Sequence, residues 1–173
     1  MTVGIDFDNT LVNTYEVSKK YLDEFLPGNN YKSYHELDLQ TELDFFDKYH
    51  LKITESLNLY DGVKEAFEYF KENNIKIVLI TARGYDRKDL IAPTKAFLEK
   101  EGLEFDKMCF SKPVKGACCK ENRVDLFIDD SLNVVPEVYN SGTKVLLFGK
   151  ESPIYDYVLN WHEVIEYIKK GIK

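Results

Sequence analysis

Short apolar runs alternate with amphipathic stretches along most of the chain. The apolar runs have the length and β-branched content of buried strands, whereas the amphipathic stretches place apolar residues at helical spacing. The predicted strands are 2–7, 75–81, 107–110, 124–129 and 144–149, and the clearest predicted helices are 61–73, 89–102 and 161–170. Strands that alternate with helices are typical of a parallel sheet covered on both faces, so the pattern predicts a three-layer α/β/α fold.

Residues 13–59 interrupt this alternation. One crossover helix is enough to join two parallel strands, but about fifty residues lie between the first two predicted strands. The stretches 16–25 and 43–57 predict helices, and a turn-rich PGNNYKS sequence joins them. We therefore expect 13–59 to form a small helical cap, inserted after the first strand of a core domain of residues 1–12 and 60–173.

Composition narrows the classes of partner. The chain has 173 residues, 44% of them hydrophobic, which is enough for one domain with a full core. Its net charge of -7 argues against binding to polymeric nucleic acid, because phosphate contacts need a basic surface. No apolar run reaches membrane-spanning length, and Asp6 and Asp8 interrupt the first one, unlike in a signal peptide. The three cysteines lack metal-type spacing and fit a reducing compartment. We expect a cytoplasmic monomer or homodimer without a membrane partner.

The polar residues that follow the predicted strands carry the candidate chemistry. Asp6 and Asp8 follow the first strand, Thr81 the second, and Asp129 and Asp130 the fourth. The carboxyl ends of parallel strands meet at one edge of a sheet, where ligands bind. Crowded carboxylates repel each other unless a cation lies between them, and Mg²⁺ prefers carboxylates together with phosphate oxygens and water. The strand ends therefore predict a magnesium site that handles a phosphate group.

The same residues suggest a reaction. Asp6 is placed to attack phosphorus and form an aspartyl-phosphate, which water then hydrolyses. Asp8 would protonate the leaving oxygen and later activate that water. Thr81 and a lysine would hold the remaining phosphate oxygens, where most of the stabilisation in phosphoryl transfer arises.

Three motifs resemble those of the haloacid dehalogenase (HAD) superfamily: IDFDNTLV at the first strand, IVLITAR at the second and LFIDDS at the fourth. The resemblance implies a Rossmann-like core with a parallel sheet, in which Asp6 is the nucleophile and a magnesium ligand. It also implies that Asp8 is the acid/base with its backbone oxygen on Mg²⁺, that Asp130 is a direct ligand, and that Asp129 binds through water. An acid at position 8 favours phosphate esters over carbon–halogen or carbon–phosphorus bonds.

The lysine of the remaining motif has two candidates. Lys115 lies at an expected helix start before the fourth strand and is favoured, and Lys112 precedes Pro113. Arg83 has two expected partners, the substrate phosphate or a surface acid. The residues expected to bind substrate are Thr10, Thr81, Ala82, Arg83 and Lys115.

A finer resemblance is to the 5'(3')-deoxyribonucleotidase group and the nucleotidases near it, through the short cap, TAR, FIDDS and the closing NWHEVIEYI. It implies hydrolysis of (deoxy)nucleoside monophosphates. The alternatives are a phosphatase for a sugar phosphate or other small metabolite and, from another class, a catalytically silent binding or regulatory protein. Aromatic residues of the cap would either stack on a nucleobase or pack in the core; they are Tyr15, Phe45, Phe46 and Tyr49.

Overall fold

A parallel sheet organises the chain. A computed structural model describes residues 1–171. Residues 172 and 173, the last two of the predicted core domain, lie outside the described residues. Within residues 1–171 the strands form one six-stranded sheet in the order β3-β2-β1-β4-β5-β6. Their bounds are β1 Thr2–Ile5, β2 Lys76–Ile80, β3 Lys107–Cys109, β4 Leu126–Asp129, β5 Lys144–Phe148 and β6 Tyr157–Val158. The α/β fold and the five predicted strands are confirmed, whereas β6 was not predicted because two residues are too short for a pattern.

Helices cover both faces of the sheet. They are α1 Thr14–Phe25, α2 Leu39–Glu55, α3 Val63–Glu72, α4 Ile91–Lys100, α5 Gly116–Glu121, α6 Val135–Asn140 and α7 Trp161–Lys169, with 3₁₀ helices at Tyr34–Glu36 and Lys88–Leu90. Asp38 and Asn160 act as N-caps, since their side chains accept hydrogen bonds from the backbone of Thr41 and Glu163. Over residues 1–171 no helix combines the length and the apolar character that crossing a membrane requires.

The sheet separates two hydrophobic clusters because side chains alternate between its faces. On β4, Leu126 and Ile128 belong to the cluster beneath α1, α2, α3, α4 and α7, whereas Phe127 belongs to the cluster beneath α5 and α6. Gly4 of β1 leaves room for Phe127, because a Cβ at Gly4 would lie 2.7 Å from its ring. The third layer can therefore approach the central strand closely.

The three cysteines belong to the second cluster. Cys109, Cys118 and Cys119 are buried and free. Burial, reinforced by neighbouring groups, raises the pKa of Cys118 and of Cys119 to about 12. These thiols therefore behave as apolar side chains.

The two ends of the segment 13–59 lie side by side. The backbone N–H of Asn13 donates to the carbonyl of Asn58 (3.2 Å), and the backbone N–H of Asn58 donates to the side chain of Asn13 (3.0 Å). Between them, α1 and α2 pack through aromatic rings, with centroids 5.7 Å apart for Phe25 and Phe45 and 6.0 Å apart for Phe25 and Tyr49. Phe45 and Tyr49 are fully buried in the main cluster, so of the two expectations for them the structure shows packing in the core.

The first prediction concerns the attachment of α7. Trp161 is fully buried, and its indole N–H donates to the carbonyl of Thr10 at 2.8 Å. Replacing Trp161 with Phe keeps an aromatic ring but removes the donor, so we expect the free energy of unfolding to fall by about 1–3 kcal/mol in urea denaturation. Tyr157→Phe, at a partly exposed ring of the edge strand, is the control and should change it by less than about 0.5 kcal/mol. Equal small effects in both variants would contradict this role for the indole.

Candidate active site

The acidic residues meet where the strand order reverses. From β1 the chain continues to β2 and β3 on one side, and β4, β5 and β6 lie on the other. Ile5 pairs with Ile128, so Asp6 after β1 and Asp129 at the end of β4 become neighbours. Carboxylate oxygens of Asp6, Asp129 and Asp130 all lie within 4.8 Å of one another, and all three residues are buried. This crevice is where open α/β sheets bind ligands.

Lys115 is the lysine within this carboxylate cluster. Its Nζ lies 2.5 Å from Asp6 Oδ1 and 2.7 Å from Asp129 Oδ2, and the residue is buried. Lys112, the other candidate from the sequence, is partly exposed, and its backbone N–H donates to the carbonyl of Thr81. Of the two lysines, the structure therefore places Lys115 in contact with the expected nucleophile.

Glu137 holds the loop that carries Lys115. Its carboxylate accepts hydrogen bonds from the backbone N–H of Lys115 (3.0 Å) and of Gly116 (2.7 Å) at the start of α5. An acid at a helix start satisfies free N–H groups and suits the helix dipole. A Cβ at Gly116 would lie 2.4 Å from Glu137 Oε1, so glycine permits this contact. Glu137 was not predicted from the sequence, because α6 is too short to show a helical pattern.

The cluster carries more negative than positive charge. Burial raises the pKa of Asp6 to about 8, with Asp129 and Asp8 adding to the effect against the opposing charge of Lys115. Burial and Asp129 likewise raise the pKa of Asp130 to about 6. Burial disfavours the charge of Lys115, but Asp6 and Asp129 outweigh it and raise the pKa of Lys115. When ionised, three carboxylates and one ammonium leave an excess of two negative charges.

This donor set suits a divalent cation. Buried carboxylate oxygens are the ligands of hard cations such as Mg²⁺, and a charge of two would balance the cluster. Asp129 already accepts hydrogen bonds on both oxygens, from Lys115 and from the backbone N–H of Ser131. Asp130 Oδ2 lies 3.9 Å from Lys150 Nζ. The predicted roles of Asp130 as a direct ligand and of Asp129 as a ligand through water stay predictions.

Asp8 is held by a different cation. Arg83 Nη2 lies 2.7 Å from Asp8 Oδ1, and Arg83 Nε lies 2.9 Å from Asp8 Oδ2. The hydroxyl of Thr14 donates to Asp8 Oδ1 at 2.6 Å. Burial alone would raise the pKa of Asp8, but the charge and hydrogen bonds of Arg83 and the Thr14 hydroxyl hold it below its ordinary value. The two partners expected for Arg83 from the sequence were the substrate phosphate and a surface acid, and its contact with Asp8 was not predicted.

Three other expected substrate contacts lie at the same edge of the sheet. Thr81 is buried, and its hydroxyl oxygen accepts a hydrogen bond from the backbone N–H of Arg83 at 3.2 Å. Ala82 is exposed beside it. Thr10 is fully buried, with its hydroxyl oxygen accepting from the backbone N–H of Asp130 and its carbonyl accepting from Trp161. These contacts of Thr10 join the ends of β1 and β4, and its predicted contact with substrate stays a prediction.

A cavity of about 380 Å³ opens beside Asp130. Its lining includes Tyr15 of α1, Tyr60, Lys150 and Asn160, together with apolar residues such as Phe148 and Leu159. Lys150 was not predicted from the sequence, although it follows β5 and the strand-end rule that found Asp129 also applies there. A larger groove of about 730 Å³ lies at the other end of the strands, where β2 and β3 begin, between α3 and the connection from α4 to β3. The Lys64–Glu101 ion pair is part of its lining.

Comparisons with known proteins bear on the fold. No protein-family model matches the sequence. No curated protein matches it either. Among solved structures, a predicted phosphatase from Clostridium acetobutylicum aligns with a TM-score of 0.72 and 16% identity over 98% of each chain. A HAD-superfamily hydrolase, subfamily IA, variant 1, from Geobacter sulfurreducens aligns with a TM-score of 0.69 and 12% identity over 96% of this chain and 98% of that one.

A third structure is a predicted phosphoglycolate phosphatase from Haemophilus somnus, with a TM-score of 0.65 and 15% identity over 96% of this chain and 97% of that one. At such identities the likeness concerns the fold. The chain has the three-layer fold of HAD-superfamily hydrolases over nearly its whole length.

The second prediction concerns Gly116. Replacing a helical glycine with alanine normally stabilises a helix by up to about 1 kcal/mol. Here the added Cβ meets Glu137 Oε1 at 2.4 Å, so we expect Gly116→Ala to destabilise the protein by about 1–3 kcal/mol in urea unfolding. In a Glu137→Ala background the same substitution should cost less, because its main obstacle is gone. A stabilising effect of Gly116→Ala alone would contradict the contact.

Proposed function

We propose that this protein is a magnesium-dependent phosphatase that hydrolyses a small phosphate monoester through an aspartyl-phosphate on Asp6. The observation that carries the proposal is the buried cluster of Asp6, Asp129 and Asp130 with Lys115 bridging two of them. A nucleophile, a fixed ammonium and a divalent-cation donor set at one strand edge are the parts that phosphoryl transfer needs.

The chain's own groups account for both steps. The Asp6 carboxylate attacks phosphorus, the bond from phosphorus to the ester oxygen breaks, and Asp8 gives that oxygen a proton. Water then attacks phosphorus and gives a proton to Asp8, which releases inorganic phosphate and restores Asp6. Lys115 orients Asp6 throughout, and Thr81 would bind a phosphate oxygen. Bound Mg²⁺, on the carboxylates of Asp6 and Asp130 and the backbone oxygen of Asp8, with Asp129 acting through water, would supply charge that offsets the phosphate.

Residues 13–59 are proposed to act as a cap over a core of residues 1–12 and 60–173. The pairing of Asn13 with Asn58 supports this boundary, because both connections to the core pass through one point. Helix α1 also brings Thr14 to Asp8 and Tyr15 to the cavity. A cap so placed would exclude water during attack by Asp6 and reopen for product release.

A phosphorylated sugar or small hydroxy acid is the proposed substrate class. The residues that line the cavity beside Asp130 include Lys150, Asn160 and two tyrosines beside apolar ones such as Phe148 and Leu159, and side chains of these polar types can bind a polar leaving group. The neighbour described as a predicted phosphoglycolate phosphatase is named for such a compound. Phe45 and Tyr49 are core residues, which removes two of the four aromatic candidates for stacking on a base. The nucleotidase function predicted from the sequence stays a prediction, and none of the three structural neighbours described above is named for it.

The third prediction tests the reaction. With Mg²⁺, the protein should release phosphate from members of a panel of sugar phosphates, phosphorylated hydroxy acids and nucleoside monophosphates. Chelation of the metal should abolish the release. Asp6→Asn should lower kcat by at least about 1,000-fold, because it removes the nucleophile. Asp44→Asn, which removes a carboxylate from the exposed face of α2, is the matched control and should retain activity.

The panel also decides between substrates. Release concentrated on sugar phosphates or hydroxy acids would support the proposed class, and release confined to nucleotides would replace it with the nucleotidase function. Absence of release from every member, with a folded protein and Mg²⁺ present, would favour the catalytically silent binding protein.

The fourth prediction separates the two aspartates. An aryl phosphate such as para-nitrophenyl phosphate has a good leaving group and needs little proton donation, whereas hydrolysis of the aspartyl-phosphate still needs a base. Asp8→Asn should therefore release about one equivalent of nitrophenolate rapidly and gain one phosphoryl group in its intact mass. Peptide mapping should place that group on Asp6. A slow linear reaction without any adduct would argue against a covalent intermediate.

A further inference from the structure

Arg83 uses its guanidinium on four side chains at once. Its Nε and Nη2 hold both oxygens of Asp8, and its Nη1 donates to the hydroxyl oxygens of Thr54 (3.0 Å) and Thr94 (3.2 Å). The guanidinium carbon lies 4.5 Å from the centroid of the Phe7 ring. The residue is buried, so its orientation is set by these partners. A planar fork of this kind fixes the direction of the carboxylate that it binds, which a lysine cannot do.

These contacts join the inserted segment to the core. Thr54 belongs to α2 of the inserted segment, and Thr94 belongs to α4 of the core. Asp8 follows β1 and also accepts a hydrogen bond from Thr14 of α1. Asp8 is thus held from both helices of the insertion, directly by Thr14 and through Arg83 by Thr54.

We infer that Arg83 is a positioning residue for Asp8 and that Thr54 makes the position of Asp8 depend on the packing of α2 against the core. The inference rests on the proposed function, in which Asp8 protonates the leaving oxygen. A displacement of α2 would remove the Thr54 contact from Nη1 and loosen the guanidinium that holds Asp8. Proton transfer requires the carboxyl group within hydrogen-bond reach of the leaving oxygen, and small misplacements of catalytic groups cost large factors in rate.

Thr54 and Thr94 form a matched pair for the test. Each is buried in a helix, each accepts from Arg83 Nη1, and each donates to the carbonyl four residues earlier, that of His50 or Leu90. Valine has nearly the same shape as threonine, so Thr54→Val and Thr94→Val remove equivalent hydroxyls. They differ in that Thr54 lies in the inserted segment and Thr94 lies in the core.

A comparison of two leaving groups tests whether Arg83 and Thr54 act by positioning Asp8. An alkyl phosphate depends on proton donation to its leaving oxygen, whereas an aryl phosphate depends on it little. Loss of positioning should therefore slow release of the leaving group in a single turnover selectively for the alkyl ester, whereas the later hydrolysis of the aspartyl-phosphate is common to both esters. A purely structural defect would lower both rates alike, and lost contact with the phosphate would raise KM for both esters.

The experiment measures the single-turnover rate of leaving-group release and the KM of each variant with Mg²⁺, on para-nitrophenyl phosphate and on the best alkyl ester of the panel. Asp8→Asn serves as the reference, and urea unfolding checks that each variant is folded. Arg83→Lys should lower this rate on the alkyl ester by about 100-fold and on the aryl ester by only a few fold. Thr54→Val and Thr94→Val should each show the same selectivity at about 10-fold, because each removes one acceptor of Arg83 Nη1.

Other outcomes have distinct meanings. Equal losses on both esters in folded Arg83→Lys and Thr54→Val, or a shared rise in KM, would overturn the inference. Absence of a selective loss in folded Thr54→Val, with or without one in Thr94→Val, would overturn the dependence on α2. If wild type hydrolyses neither ester, or if Asp8→Asn lacks leaving-group selectivity, the proposed function or the role of Asp8 fails instead.

Discussion

The ion pairs of Lys115 with Asp6 and Asp129 are the interaction on which the site depends. Two strands that lie side by side end in carboxylates, and removing these charges from water without a counter-charge would cost several kcal/mol. The ammonium of Lys115 touches both of them from a helix start on the other side of the crevice. Glu137 then holds the backbone of Lys115, and Gly116 leaves room for Glu137 to do so. Helix α5, Gly116 and Glu137 together therefore hold the ammonium group of Lys115 in place.

Hydrogen bonds of Thr10 connect this cluster of charged residues to helix α7, near the end of the described residues. Thr10 links the loop after β1 to Asp130 through its hydroxyl and links the same loop to Trp161 through its carbonyl. Helix α7 lies far along the sequence from the first strand, yet its indole supports the turn that presents Asp6 and Asp8. The turn after β1 therefore contributes both to the stability of the protein and to the geometry of the strand ends.

The two aspartates of the first motif have separate cations and opposite pKa shifts. Asp6 shares Lys115 with another carboxylate, and burial raises its pKa, whereas Asp8 has the Arg83 guanidinium and a lowered pKa. On an extended strand, side chains two positions apart would share one face, but the chain bends at Phe7 directly after β1, so Asp6 and Asp8 reach different parts of the fold. Each carboxylate therefore has its own cation and its own hydrogen-bond partners.

The alternation of strands and helices, the long helical segment between the first two strands and the acids at the strand ends were readable from the amino-acid sequence. These features depend on local periodicity and on the rule that parallel strands end at one edge, so they require no knowledge of distant contacts. The tertiary structure placed Lys115, which the sequence already favoured over Lys112, against Asp6, and it alone added Glu137 and paired Arg83 with Asp8 across 75 positions of the chain. It also showed the short elements α6 and β6. A side chain's partner depends on where loops and helices pack in three dimensions, and short-range patterns carry little information about that packing.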